Sequence, residues 1–156
     1  MRKITVIGNC PQMQATEVFT LLADFDAYPH HSQVVRSVVI QEKGQSHSIS
    51  DWEVNFRQGI LRWTERDVFD PVGLTIVFNQ LKGDAAHFAG AWSLAQAGSD
   101  CRVEFQAEFD MGIPSLQEII EPIAENALRE NIEAILSGLV KGNVHFDSAR
   151  STKGQP

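Results

Sequence analysis

Glu65 and Asp67 stand two residues apart, in a run where Leu61, Trp63 and Phe69 occupy the other alternate positions. In an extended strand every second side chain shares a face, so this spacing aims two carboxyl groups and an indole in the same direction. A carboxyl group moved out of water holds its proton more tightly, and a pair so placed suits general acid–base catalysis. Glu65 and Asp67 are therefore the candidate catalytic residues. The competing arrangement has the strand twisting out of its sheet there, with both acids solvated and paired with Arg62 or Arg66.

Aromatic residues supply the second candidate set. Trp52, Phe56, Trp63, Phe78, Phe88, Trp92 and Phe105 fall on apolar stripes of consecutive extended segments, where flat rings stack on a ring-bearing ligand or simply fill a core. Tyr28 either offers its hydroxyl at the mouth of the same site or packs its ring on a preceding helix. Asn126 and Asn131 lie among apolar neighbours near the C-terminus; a cavity-facing amide would bond a ligand carbonyl, but solvent exposure is the expectation for both.

Other chemistry finds little support. His30 and His31 are adjacent, and successive side chains do not converge on one ion, so a rim or surface position is expected and no metal. His87 is expected to face outward. Cys10 and Cys101 have no metal-type or redox-motif spacing and read as two buried thiols of a reducing compartment. There is no glycine-rich phosphate loop and no nucleophile elbow. No cofactor is expected.

The elements that must position these residues follow from periodicity. Residues 3–7 read as a strand, and Pro11 as the first position of a helix carrying Ala15, Val18, Phe19, Leu22 and Phe25 at helical spacing. Pro29 should break that helix at Tyr28. From residue 34 to about 110 the period changes to two, with strands separated by short polar turns such as Asp70-Pro71-Val72-Gly73. This is an antiparallel meander with one greasy face. Ser115 and Glu118 form a capping box, after which Leu116, Ile119, Ile120, Ile123, Ala127, Leu128, Ile132, Ile135, Leu136 and Leu139 repeat at three and four. Pro122 should kink or restart this last helix. Only this helix is long enough to cover the sheet's apolar face, and a curved sheet closed on one helix leaves a pocket between them.

A chain of 156 residues fits one domain, read as residues 1–146 followed by a disordered polar tail, 147–156. The net charge of −7 opposes binding to nucleic acid or anionic headgroups. No segment approaches the ~20 apolar residues that span a bilayer, and the N-terminus lacks the apolar run of a signal peptide. A cytoplasmic monomer or homodimer is expected.

This element order and several strings resemble the START-like superfamily, also called helix-grip or SRPBCC proteins, and within it the bacterial polyketide cyclase/dehydrase (aromatase/cyclase) family. The strings are residues 23–29 (ADFDAYP), residues 61–67 (LRWTERD) followed by Asp70-Pro71, residues 88–92 (FAGAW) and residues 108–110 (EFD); the likeness covers roughly residues 1–140. The resemblance implies an α+β helix-grip fold: a curved antiparallel sheet of about seven strands around a long C-terminal helix. It implies a small hydrophobic or aromatic ligand, including a poly-β-ketone brought on a carrier protein, closed into a ring by an aldol reaction and aromatised by loss of water without metal or nucleotide. Family members tend to carry a pocket-facing arginine where this chain has Asp67, and some a histidine where it has Ala107. Arg66 has the opposite parity, and a one-residue bulge would bring it inward.

Three readings follow. The first is a cyclase/dehydratase using Glu65 and Asp67. The second is a non-catalytic carrier of a lipid, quinone or pigment precursor, favoured by the missing arginine and histidine. The third is an adaptor whose core is packed solid. A void between sheet and helix separates the third from the others.

Overall fold

The computed structural model describes residues 1–148, apart from the side chains of Pro114, Gln117 and Glu118. The chain runs β1 (Arg2–Cys10), α1 (Ala15–Ala23), α2 (Tyr28–His31), β2 (Val35–Lys43), β3 (His47–Phe56), β4 (Gly59–Asp70), β5 (Thr75–Gly83), β6 (His87–Ala97), β7 (Asp100–Asp110), α3 (Gln117–Leu139) and β8 (His145–Phe146). All the described strands form one antiparallel sheet in the order β2-β3-β4-β5-β6-β7-β1-β8. This is the helix-grip α+β fold, with an eighth strand beyond the expected set.

Alternation places one face of each strand inside. In β7, Cys101, Val103, Phe105, Ala107 and Phe109 are buried while Arg102 and Gln106 are exposed. The sheet bends at bulges: β2 carries an extra residue at Arg36 and at Gln41 relative to β3, and β5 carries Leu81 unpaired against β4. Each bulge raises the local twist, which curls the sheet toward α3. Gly90 sits in register between Phe78 and Ala107. A Cβ at Gly90 would lie 2.2 Å from the Gln106 carbonyl oxygen, so the strands close up here only around glycine.

Several local expectations need correction. Pro11 does not start α1. It belongs to a turn in which Gln12 takes φ +58 and donates its N–H to Asp100 Oδ1 at 3.0 Å, and α1 begins at Ala15. Tyr28 is helical after all (φ −54, ψ −46), because Pro29 falls in the first turn of α2, where a missing N–H leaves nothing unpaired. The last α-helix begins at Gln117 after a 3-10 turn, Pro114–Leu116, with Leu116 rather than Ser115 at its N-cap; the Glu118 half of the expected capping box lies outside the described side chains. The helix runs through Pro122 without restarting.

The covering stripe of α3 is shifted in its first turns. Ile119 is 64% exposed and Ile123 43%, because they lie on the same outward helical row as Asn126, Glu130 and Ala134, all exposed. The inward row is Glu121, Ala124, Leu128, Ile132, Ile135 and Leu139, all buried. Glu121 accepts the Met111 N–H at 3.3 Å. Beyond α3 the chain returns to β1, where Asp147 donates its N–H to the Ile7 carbonyl at 2.9 Å. The expected tail therefore begins in an ordered contact, and residues 149–156 lie outside the described set. No described helix is long and apolar enough to cross a membrane.

Candidate functional site

The site is built on β3 and β4. Their pairing is unbroken from Phe56–Gly59 to His47–Val68, so parity never slips. The inward residues of β3 are Ser48, Ser50, Trp52 and Val54, and they stand opposite Asp67, Glu65, Trp63 and Leu61 of β4. The bulge at Leu81 belongs to β5 and leaves β4 in phase. Arg66 accordingly faces solvent. Arg62 is engaged on the outer face by Glu53 at 2.9 Å.

The two acids are inside. Glu65 is 6% exposed and Asp67 0%, which excludes the solvated arrangement. Asp67 Oδ2 accepts two hydroxyl hydrogen bonds, from Ser48 at 3.2 Å and Ser50 at 3.1 Å. Glu65 Oε1 accepts the Trp63 indole N–H at 2.7 Å. The two carboxyl groups are neighbours on the inward face of β4 and influence each other's protonation. Burial, then the contact with Asp67 and its charge, push the Glu65 carboxyl well above the usual range, against the indole's opposing pull. Burial also raises Asp67, while hydrogen bonds from Glu65, Ser50 and Ser48 oppose the rise. The stronger hold on the proton is therefore at Glu65, with Asp67 as the ionised partner.

Over these acids lies a cavity of about 60 Å³ between the sheet and α3. A water needs ~10–15 Å³ measured this way, so the void holds several waters or one small ring system. Of the expected ligand-binding set, Tyr28, Trp52, Trp63, Phe78, Phe88, Trp92 and Phe105 line it, as do Glu65 and Asp67. Phe56 does not. It borders a smaller void of about 10 Å³ that shares Leu61, Phe88 and Leu128 with the main one. The rings form a connected wall: Phe88 meets Trp63 and Phe78 edge-on at 5.4 and 5.0 Å, and Phe105 meets Trp92 at 4.8 Å. The core is therefore not packed solid.

Tyr28 lines the cavity but keeps its hydroxyl away from any mouth, donating to the Leu22 carbonyl at 2.7 Å. Burial first, then the charges of Glu65, Asp67 and Asp24, raise its phenol well above the ordinary value. Asn131 corrects the expectation of solvent: it lines the cavity and donates Nδ2 to the Asn55 carbonyl at 2.7 Å, whereas Asn126 is exposed. Ser48 and Ser50, which hold Asp67, were not candidates; their inward parity with Trp52 was the available signal. Phe25 and Ile76 also line the cavity, as do Leu128, Ile132 and Ile135 of α3.

His30 and His31 are exposed on α2, and the described residues contain no group of side chains placed to hold a metal. His87 is partly buried and faces Glu108 at 3.4 Å. Cys10 and Cys101 are directly opposed across β1 and β7, fully buried and not disulfide-bonded. Burial, with Cys10 beside it, pushes the Cys101 thiol up to about 12, which leaves it unreactive.

The sequence matches the family described as "Polyketide cyclase / dehydrase and lipid transport" over residues 12–136. The chain belongs to that family. A search of curated protein sequences finds no significant match. Among solved structures, this polyketide cyclase/dehydrase family member is similar to a protein from Thermus thermophilus (TM-score 0.83, 20% identity, 90% of this chain and 96% of that one). It is also similar to the Zhui aromatase/cyclase from a Streptomyces species (TM-score 0.79, 20% identity, 90% and 92%). A START superfamily protein from Mycobacterium smegmatis aligns with TM-score 0.72 and 16% identity over 90% and 96%. At these identities the likeness establishes the fold.

Proposed function

We propose that this family member binds a small hydrophobic or aromatic molecule between its sheet and α3 and acts on it as a metal-independent cyclase/dehydratase. The observation that carries the reading is the buried Glu65–Asp67 pair set in an aromatic wall. A cavity of this shape supports ring closure by holding the reacting carbons together. The Asp67 carboxylate takes a proton from a methylene carbon flanked by carbonyls. The enolate carbon so formed attacks a second carbonyl, whose oxygen receives the Glu65 proton. In dehydration Asp67 gives its new proton to the departing hydroxyl while the Glu65 carboxylate takes the proton from the breaking carbon–hydrogen bond, so water leaves and both acids return to their starting states. The substrate class is a short poly-β-ketone or related aromatic precursor, free or delivered on a carrier protein. A chain making several rings requires the aromatic side chains to move.

The second reading is a carrier that binds without chemistry. It is favoured by Asp67 and Ala107 at the positions where family members with cyclase chemistry tend to place an arginine and some a histidine, and by the lipid-transport half of the family description.

The two readings part in a turnover assay with an aryl β-polyketone thioester, its products resolved by chromatography and mass spectrometry. Catalysis requires cyclised, dehydrated product from the wild type and at least ~10²-fold less from folded Asp67→Asn and Glu65→Gln. Recovery of unchanged ligand from all three proteins supports the carrier.

A further inference from the structure

We infer that Glu65 and Asp67 hold a single proton between them and together form an acceptor site for a ligand hydroxyl, so that the cavity takes uncharged phenols and enols and turns away carboxylates. This deepens the cavity-binding reading and rests on it.

Asp67 Oδ1 lies in the interior of the site. This oxygen is fully buried and has no hydrogen-bond donor among the described residues, although its twin Oδ2 has two, Ser48 and Ser50. A buried acceptor without a donor is costly. Its neighbouring acid is Glu65, two residues along the same inward face of β4 and held at Oε1 by the Trp63 indole N–H. Two ionised carboxylates in contact inside an aromatic wall would repel each other and lose their hydration. One proton on Glu65, donated to Asp67 Oδ1, removes both problems. Glu65 Oε1 and Asp67 Oδ1 then each have one donor and a spare lone pair, while Asp67 Oδ2 keeps its two serine donors.

The pair carries one negative charge, and no lysine, arginine or histidine is among the described residues that line the cavity. A ligand carboxylate would meet that charge with nothing to offset it. A ligand O–H meets spare lone pairs on a wall that is otherwise aromatic and aliphatic apart from Asn131, whose amide N–H is already given to the Asn55 carbonyl. A ligand ammonium gains less than the bare charge suggests, because the Ser48, Ser50 and Trp63 donors and the shared proton already stabilise the anion.

The test is calorimetric titration at neutral pH with 2-naphthol, 2-naphthoate and 2-naphthylmethylammonium, which present one ring system with three headgroups. The expected order puts 2-naphthol at least about tenfold tighter than 2-naphthoate and tighter than the ammonium. Glu65→Gln keeps that preference, since its amide N–H replaces the shared proton. Asp67→Asn reduces it to near unity. Infrared spectroscopy checks the proton without a ligand: the wild type shows a buried protonated-carboxyl C=O band at neutral pH that is missing in Glu65→Gln. Equal or tighter binding of 2-naphthoate or of the ammonium, full preference retained in folded Asp67→Asn, or no such infrared band overturns the inference while leaving a binding cavity intact. If none of the three probes binds, the cavity-binding reading fails and this inference falls with it.

Discussion

Trp52 and Trp63 are directly paired across β3 and β4, with their indole planes 2° from parallel and ring centroids 5.9 Å apart. Each indole N–H is spent within its own strand, Trp52 on Ser50 at 2.8 Å and Trp63 on Glu65 at 2.7 Å. Ser50 in turn donates to Asp67. The apolar wall and the acid pair are thus one hydrogen-bonded unit, and disturbing either end reaches the other.

Ser50→Ala therefore breaks two links. The Trp52 indole N–H loses its acceptor and Asp67 loses one of its two hydroxyl donors. The variant should be less stable by about 1–3 kcal/mol in urea unfolding, with a fluorescence spectrum altered by the freed indole. Unchanged stability and spectrum would show that the link is not maintained in solution.

The acid pair makes stability depend on pH with a definite sign. The folded-state affinity of Glu65 for its proton is raised, and that of Asp67 is raised less. Below the ordinary carboxylate range both states carry the protons and nothing is lost. As pH rises above that range the unfolded chain releases its protons while folded Glu65 retains its own, so stability falls until pH passes the raised folded value. Glu65→Gln lacks this decline. The difference in melting temperature, variant minus wild type, should grow as pH rises through and above the ordinary carboxylate range. A difference that is flat or shrinks over that window contradicts the burial of Glu65. Tyr28, which faces the same pair, remains protonated throughout the window.

Trp92 is 6% exposed and packs edge-on against Phe105. Trp92→Ala should cost about 3–5 kcal/mol in chemical unfolding and widen the cavity. A cost well below about 1 kcal/mol would mean that the ring is free to leave the wall.

Asn131 ties α3 to β3 through the Asn55 carbonyl. Asn131→Ala should cost about 1 kcal/mol. Asn131→Asp should cost more at neutral pH, because a carboxylate there faces a carbonyl oxygen and adds charge to a cavity that already holds the acid pair. Equal stabilities for the two variants would place the side chain outside the cavity.

Much of this architecture is legible in the sequence because the meander declares itself by period. Trp52 and Val54, then Trp63, Glu65 and Asp67, alternate without a break, and Gln58-Gly59 reads as the tight turn between the two strands, one residue beyond the observed turn at Arg57 and Gln58. Parity put Glu65 and Asp67 on one face with Trp63 but left open whether that face is inside or twisted out to solvent, which their burial decides. What they touch did not follow from parity. Ser48 and Ser50 lie 19 and 17 positions from Asp67, and only the β3–β4 register brings them across. Ile119 and Ile123 fit an apolar repeat at three and four, yet the row they continue is Asn126 and Glu130. The expected stripe mixed two helical rows that only the burial of Glu121 and Ala124 separates. β8 has two residues, too few to show alternation. The bulges that curve the sheet leave no mark in composition.

The claim on which the rest depends is that the space between sheet and α3 admits a guest. The chain has three tryptophans, and Trp52, Trp63 and Trp92 all line that space, so their indole N–H resonances report on it directly. Titrating ¹⁵N-labelled protein with 2-naphthol should shift these indole signals saturably and with one-to-one stoichiometry, while amides on the outer face of β7 stay in place. Indole signals that do not move through solubility-limited 2-naphthol, with the protein folded, would contradict the account.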